Sequence, residues 1–180
     1  MPRKALHKWG TKNCFVEYDL YTTHFGPIIN DEVEKYLFGV IDDSGAKALR
    51  AFTGENRTEM HESFQDFFEY IAVQKLRTIK GLDWIRSCYG TLDQVGLMVE
   101  MQALRRMHCT MWAEGVREIV SARDSDVKFI LTDHPVTIYN AALEPSSKQC
   151  EYPQDPLVAS TGSQTVFALN ADHCLILTHL

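Results

Sequence analysis

The sequence predicts an α+β fold, in which a helical N-terminal layer of three main helices packs on a small, mainly antiparallel C-terminal sheet. Between residues 30 and 122, apolar residues recur every three to four positions, the period of an amphipathic helix. From residue 127 to residue 180, β-branched and apolar runs alternate with polar turns, as strands do. Because helices come first and strands later, the βαβ alternation of a parallel sheet is absent. We expect one domain over residues 1–180, with residues 1–12 as a flexible lead-in.

The first helix is expected to begin after Asn30, which can cap it, because acidic residues then follow at the positive end of the helix dipole. Gly39 and Gly45 weaken the middle of this helix, so a bend or a split is expected there. Gly54 is expected to end it.

The second helix starts at the capping pattern "NRTE" and should run to about Ile79, followed by the short helical piece "LDWIRSCY". The third helix has a capping box formed by Thr91 and Gln94, and apolar side chains recur along one side as far as Ala122.

Four later runs are predicted to be strands, namely "VKFILT", "VTIYN", "TVFAL" and "CLILTHL". The last two should form an antiparallel pair with residues 170–173 in the turn. Near the N-terminus, "CFVEYDLYT" is either a short strand or an extended arm. Because the final run is apolar to its end, it could also pair with a protein partner or with a second copy of the chain.

Composition narrows the class of protein. A net charge of −6 argues against broad contact with nucleic acid or an anionic membrane, since both require an excess of Lys and Arg. Five cysteines without a CxxC pair fit reduced thiols in a cytoplasmic protein better than a disulfide framework. No signal peptide and no apolar run of membrane-spanning length is present in the sequence.

The segment Asp133-His134-Pro135 interrupts two apolar runs and is the first candidate site. If Val127, Phe129 and Leu131 face the core, continued alternation turns Asp133 inward, where a carboxylate must be paired or hydrogen-bonded. Asp133 would then be either a catalytic or ligand-binding carboxylate, or a turn cap that accepts bonds from nearby amides.

Three further residues complete the candidate site. Gln74 and Arg77 continue an aromatic side of the second helix, which indicates either a cleft edge or a helix end at which Arg77 reaches solvent. His108 lies on the apolar stripe of the third helix, as a satisfied core residue or as a base. No metal-ligand spacing, phosphate loop or cofactor fingerprint is found, so no metal and no cofactor is predicted.

The order of the motifs "EYDLYT", "NDEVEKYL", "FFEYIAVQKLRT", "FILTDHPV" and "VFALNADHCLIL" resembles bacterial and phage proteins grouped as a domain of unknown function (DUF 4238). Asp133-His134-Pro135 is similar to the family's Ser-Asp-Asn-Pro signature, with Thr132 and His134 in place of Ser and Asn. The resemblance covers roughly residues 13–180 and implies no established activity. Family members are longer and carry an N-terminal His-Tyr-x-Pro motif, so the resemblance implies a truncated form.

These observations are compatible with two functions. The chain is interpreted primarily as a non-enzymatic protein-binding module, on the basis of its acidic balance and its strand-ended C-terminus. The alternative is a hydrolase acting on nucleic acid or nucleotide, with Asp133 as its key carboxylate and with Gln74 and Arg77 orienting a phosphate or an oxyanion.

Overall fold

The computed structural model of the chain describes residues 21, 23–25, 28–30, 32–54 and 56–180. Within this part of the chain, a short hairpin comes first, then the helices, and then a four-stranded antiparallel sheet, which confirms the α+β class. The helical elements are a π-helical turn at Val33–Phe38, then α1 (Gly39–Thr53), α2 (Arg57–Glu62), α3 (Phe64–Leu76), α4 (Ile79–Tyr89) and α5 (Gln94–Glu114). None of the described helices is both long enough and apolar enough to cross a bilayer.

The strands form two separate sheets. A small hairpin pairs β1 (Thr23–Phe25) with β2 (Ile28–Asn30). The main sheet has the order β3-β6-β5-β4 and every pairing in it is antiparallel. Its strands are β3 (Val116–Ser121), β4 (Val136–Asn140), β5 (Ser163–Ala168) and β6 (His173–Thr178).

Two predicted starts of helices need correction. Asn30 belongs to β2, so it is part of a strand rather than a helix cap. The N-cap of α5 is Asp93, whose Oδ1 accepts a hydrogen bond from the amide of Gly96 at 2.7 Å. The predicted capping box of Thr91 and Gln94 is therefore wrong.

The predicted lead-in and nearly all of "CFVEYDLYT" lie outside the described residues.

Other helix boundaries are set by local chemistry. The predicted cap at Asn56 is confirmed, because its Oδ1 accepts from the amides of Thr58 and Glu59. The second predicted helix is interrupted at Ser63, which separates α2 from α3. It also ends at Leu76 rather than near Ile79, since the hydroxyl of Thr78 caps α4 by accepting from the amide of Gly81.

The first helix is not split at Gly45, because α1 continues through it to Thr53 and ends before Gly54, as predicted. A Cβ at Gly45 would lie only 2.3 Å from the ring of Tyr70. Glycine at this position therefore allows α1 to pack directly against α3.

Three strands of the main sheet, β4, β5 and β6, occupy the predicted runs, and β5 and β6 form the predicted antiparallel pair. The third helix, expected to reach Ala122, ends at Glu114, and Val116–Ser121 forms the unpredicted edge strand β3. The run "VKFILT" is not a strand, because residues 122–135 contain no helix and no strand. We call residues 122–135 the connecting segment.

The C-terminal strand is not a free edge. Both sides of β6 are occupied, one by β3 and the other by β5, so pairing of this strand with a partner protein or a second copy is blocked. In the part of the chain that the structure describes, β3 and β4 are the edge strands of the main sheet.

One core cluster joins the sheet to α1, α3 and α5, and a second lies among the helices. In the first cluster, the stacked rings of Phe52 and Phe67 meet Trp112 and Leu175, all fully or almost fully buried. The indole Nε1 of Trp112 donates a hydrogen bond to Thr165 Oγ1 at 2.9 Å, which ties α5 to β5. This packing fixes the C-terminal end of α3 and the start of β4. A set of charged side chains converges between these two ends.

Candidate functional site

Asp133 is exposed, contrary to the prediction that it turns inward. The prediction depended on Val127 and Leu131 facing the core, but these side chains are 76% and 58% exposed. Since the connecting segment forms no strand, strand alternation does not apply to it.

The residue of this segment that turns inward is His134. Alternation in β4 buries Val136, Ile138 and Asn140 and exposes the residues between them, and the same alternation extended backwards places His134 on the buried side. Its Nδ1 lies 3.2 Å from the hydroxyl of Thr78, and its Nε2 lies 3.6 Å from Oδ2 of Asp155.

Asp155 is the carboxylate on which the charged side chains converge. Lys75 Nζ donates to Oδ2 at 2.5 Å and Lys80 Nζ donates to Oδ1 at 2.6 Å, while the carboxylate side chain is only 13% exposed. Burial alone raises the pKa of Asp155, but His134 and the two ammonium groups outweigh burial and hold this pKa below its usual range. We call Lys75, Thr78, Lys80, His134 and Asp155 the Asp155 cluster.

Lys75 is the most deeply buried cation of the Asp155 cluster, at 6% exposure. Burial lowers the pKa of its ammonium group, and the attraction of Asp155 opposes that shift. Two lysines share one carboxylate, so the three groups carry a net charge of +1 when all are ionised.

The Asp155 cluster joins four parts of the chain. Lys75 lies on α3, Lys80 on α4, His134 immediately before β4, and Asp155 in the loop after it. A buried ion pair of this kind adds little net stability over apolar packing, but removing one partner is costly because the other charge stays buried. The cluster therefore acts as an anchor that specifies how the loops sit on the helices.

Gln74 and Arg77 do converge on a carboxylate, but it belongs to Asp42 of α1. Arg77 Nη1 donates to Asp42 Oδ2 at 2.7 Å, and Gln74 Nε2 donates to Oδ1 at 3.4 Å. Among the described residues, neither side chain has an ion pair or a hydrogen bond with Asp133. The site expected from the sequence, with Asp133 held by Gln74 and Arg77, is therefore not formed.

His108 is buried, as the core interpretation required, and its ring stacks on Trp112 at a centroid distance of 5.2 Å. Its Nδ1 has no hydrogen-bond partner within the described part of the chain. Burial, assisted by the charge of Lys75, lowers the pKa of His108 to about 3, so the ring is neutral at neutral pH. His108 thus belongs to the neighbourhood of the Asp155 cluster, without a contact to Asp133, Gln74 or Arg77.

Neither a group of metal ligands nor a free Thr78 hydroxyl is found among the described residues. No group of three or more His, Cys, Asp or Glu side chains among them is arranged to hold a metal ion. The hydroxyl of Thr78 donates to the carbonyl of Lys75 and accepts from Gly81, so it is engaged in capping α4.

The exposed part of the connecting segment differs from the Asp155 cluster, because large apolar side chains there are in contact with solvent. Val127, Ile130 and Leu131 are 76%, 80% and 58% exposed, and Tyr152 of the neighbouring loop is 60% exposed. The hydroxyl of Tyr152 donates to Asp83 at 2.7 Å, and this bond, with Asp133 as a weaker contributor, raises the pKa of Tyr152. We call Val127, Ile130, Leu131 and Tyr152 the apolar surface.

Sequence reasoning missed the two central charges for different reasons. Lys75 is four residues after Ile71 and three after Ala72, so helical spacing places it on the buried stripe of α3 and could have identified it. Asp155 lies in a proline-containing loop, and its partners Lys75 and Lys80 are 80 and 75 residues away, so no local pattern marks it.

No protein-family model, curated protein or solved structure matches this chain. The resemblance to the domain of unknown function therefore stays a prediction, and a function for the chain has to be argued from its fold and its side-chain geometry.

Proposed function

We propose that the chain is a protein-binding module and that the apolar surface is its contact site. The observation that carries this proposal is the exposure of three large aliphatic side chains, Val127, Ile130 and Leu131, within five residues. Exposed apolar groups on one contiguous stretch are typical of surfaces that become buried against another protein.

The geometry of the connecting segment supports a preformed contact site. At its start, the amide of Ala122 donates to the carbonyl of Asp172 at 2.7 Å. In its middle, the amide of Phe129 donates to the carbonyl of Ala171 at 2.9 Å, and Lys128 forms an ion pair with Asp172 at 2.8 Å. At the other end, His134 lies in the Asp155 cluster. A segment held at both ends loses less conformational entropy on binding than a free one, which favours affinity.

Charge suggests the chemistry of the partner. The three exposed acidic residues of the connecting segment, Asp124, Asp126 and Asp133, outnumber its two exposed basic residues, Arg123 and Lys128. The whole chain carries a net charge of −6. A partner with an apolar contact surface bordered by Lys or Arg would complement this arrangement. Because both sides of β6 are occupied, the proposal moves the contact from the C-terminal strand to the apolar surface.

Site-specific photo-crosslinking tests the proposal. Benzoylphenylalanine at position 130 should give a defined protein adduct in an extract of the source cells, and an excess of unmodified chain should compete it away. Replacing Val127 and Leu131 by Ser in the same chain should abolish the adduct, because the aliphatic contacts are lost.

Val99 provides the matched control, since it is 60% exposed on α5 and lies outside the apolar surface. The same crosslinker at position 99 should give no adduct of that mass. Equal adducts from both positions, or none from position 130, would contradict the proposal.

The hydrolase alternative gains no support from the geometry. It requires Asp133 beside Gln74 and Arg77, and both of these side chains bind Asp42 instead. Activity on nucleic acid or nucleotide remains a prediction from the sequence.

A further inference from the structure

A cavity of about 580 Å³ lies between α2 and the β3 side of the sheet, and none of the residues that line it belongs to the apolar surface. Its floor is apolar, with Phe52 and Leu175 buried and with Met60, Phe64 and Ile119 half-buried. This volume lies within the range of pockets that hold small molecules, and a floor of this kind accepts an aliphatic or aromatic body.

The mouth of the cavity is basic. Arg57, His61 and Arg117 line it and are exposed, and no acidic residue is among the residues that line the cavity. Neither arginine has an ion pair within the described part of the chain.

The guanidinium of Arg117 is already oriented for binding. Its Cζ lies 4.3 Å from the centroid of the Phe64 ring, so the cation is stacked on the floor of the cavity. A stacked guanidinium keeps its N–H edge in the plane of the group, where it can donate two parallel hydrogen bonds to a carboxylate or a phosphate.

We propose that this cavity binds a small amphipathic anion, with a carboxylate or phosphate head at Arg117 and Arg57 and an apolar body over Phe52, Met60 and Ile119. The proposal is independent of the protein-binding surface. The shared chemistry is an oxyanion joined to an aliphatic or aromatic chain.

Isothermal titration calorimetry with four octyl compounds tests the proposal on the full chain. Octanoate and octyl phosphate should bind at one site per chain, and whichever binds more tightly identifies the preferred head group. Octanol and octylammonium have the same body without the negative charge, and they should bind at least about tenfold more weakly, as expected for loss of a charge-assisted hydrogen bond.

Arg117→Gln should weaken binding of the anionic probes by about tenfold or more while leaving the weak binding of octanol unchanged. Arg57→Gln should act in the same direction. Arg86→Gln removes the same charge from α4, where the side chain pairs with Asp83, and should leave all four affinities unchanged.

Three results would overturn the proposal. The first is that no anionic probe binds, and the second is that octanol binds as tightly as octanoate. The third is that Arg86→Gln weakens binding as much as Arg117→Gln, which would indicate a general effect of net charge rather than a site.

Discussion

The Asp155 cluster and the apolar surface both include residues of the connecting segment, and both reverse the usual distribution of side chains. At the cluster, Lys75 is 6% exposed and shares a carboxylate with Lys80 in the interior. Only a few residues before His134 in sequence, Ile130 is 80% exposed. Single exposed apolar residues are ordinary, whereas buried charges and clustered exposed aliphatic groups both call for an explanation.

The two regions have separate roles in the molecule. Buried charges specify one arrangement of loops and helices, because any other arrangement leaves a charge unpaired. Exposed aliphatic groups contribute nothing to that arrangement and are available for a contact. Stability should therefore depend on the cluster and not on the apolar surface, and substitutions can separate the two.

Among single substitutions at neutral pH, the largest effect is expected from Asp155→Asn, which leaves the ammonium groups of Lys75 and Lys80 without their counter-charge. The free energy of unfolding in urea should fall by about 3 kcal/mol, the cost of removing one partner from a buried ion pair. Asp133→Asn is the matched control and should change it by less than about 0.5 kcal/mol, as an exposed substitution does. Equal losses in the two variants would mean that Asp155 is not the anchor.

A second large effect concerns pH, because the pKa of His108 is about 3 in the folded protein and about 6.5 in an unfolded chain. The unfolded chain binds a proton that the folded protein does not, so stability is complete above about pH 6.5 and falls as pH drops towards 3. The slope should approach about 1.4 kcal/mol per pH unit within this window.

His108→Leu should flatten that part of the profile in urea titrations at a series of pH values. A further loss should begin below about pH 4 in both proteins, because the pKa of Asp155 is lowered in the folded state and its stabilising charge disappears only in strong acid. An unchanged slope between pH 6 and pH 4 in His108→Leu would contradict the assignment.

A smaller change in the free energy of unfolding is expected from a substitution at Arg77, one of the candidate site residues predicted from the sequence. Its ion pair with Asp42 is partly exposed, so Arg77→Gln should cost about 1 kcal/mol or less in the same urea assay. A loss as large as that of Asp155→Asn would remove the distinction between the buried cluster and this pair.

The smallest effect should come from the apolar surface itself. Replacing Val127, Ile130 and Leu131 together by Ser should change the free energy of unfolding by less than about 0.5 kcal/mol per residue, because the side chains are already in water. A loss of several kcal/mol would indicate that these side chains pack in the folded protein.

The features that could be predicted from the sequence are those set by residues close together in the chain. The α+β class, the cap at Asn56 and strands β4 to β6 depend on local patterns and were predictable. The strand β3 was missed because Val116–Ser121 comes directly after a long helix, with only Gly115 between them.

The contact that the sequence predicted between Asp133 and Arg77 is not formed, and the residues that follow them in the chain are in contact instead. The expected contact joined Asp133 to Arg77, and the observed contact joins His134 to Thr78. The error arose because the run before Asp133 was assumed to be buried, whereas alternation in β4 would have turned His134 inward. Asp155 could not be found, because only the folded chain brings it to the lysines.

Amide hydrogen exchange across residues 127–140 is the most direct test of the central claim. The claim is that Val127, Ile130 and Leu131 lie on an exposed segment that is fixed to the rest of the fold. The amide of Phe129, bonded to Ala171, and the amides of β4 that bond to β5 should be protected. The amides of Ile130 and Leu131, for which no hydrogen bond is found among the described residues, should exchange at nearly the rate of a free peptide. Protection of these two amides to the level of β4 would show a buried strand in their place and would contradict the account.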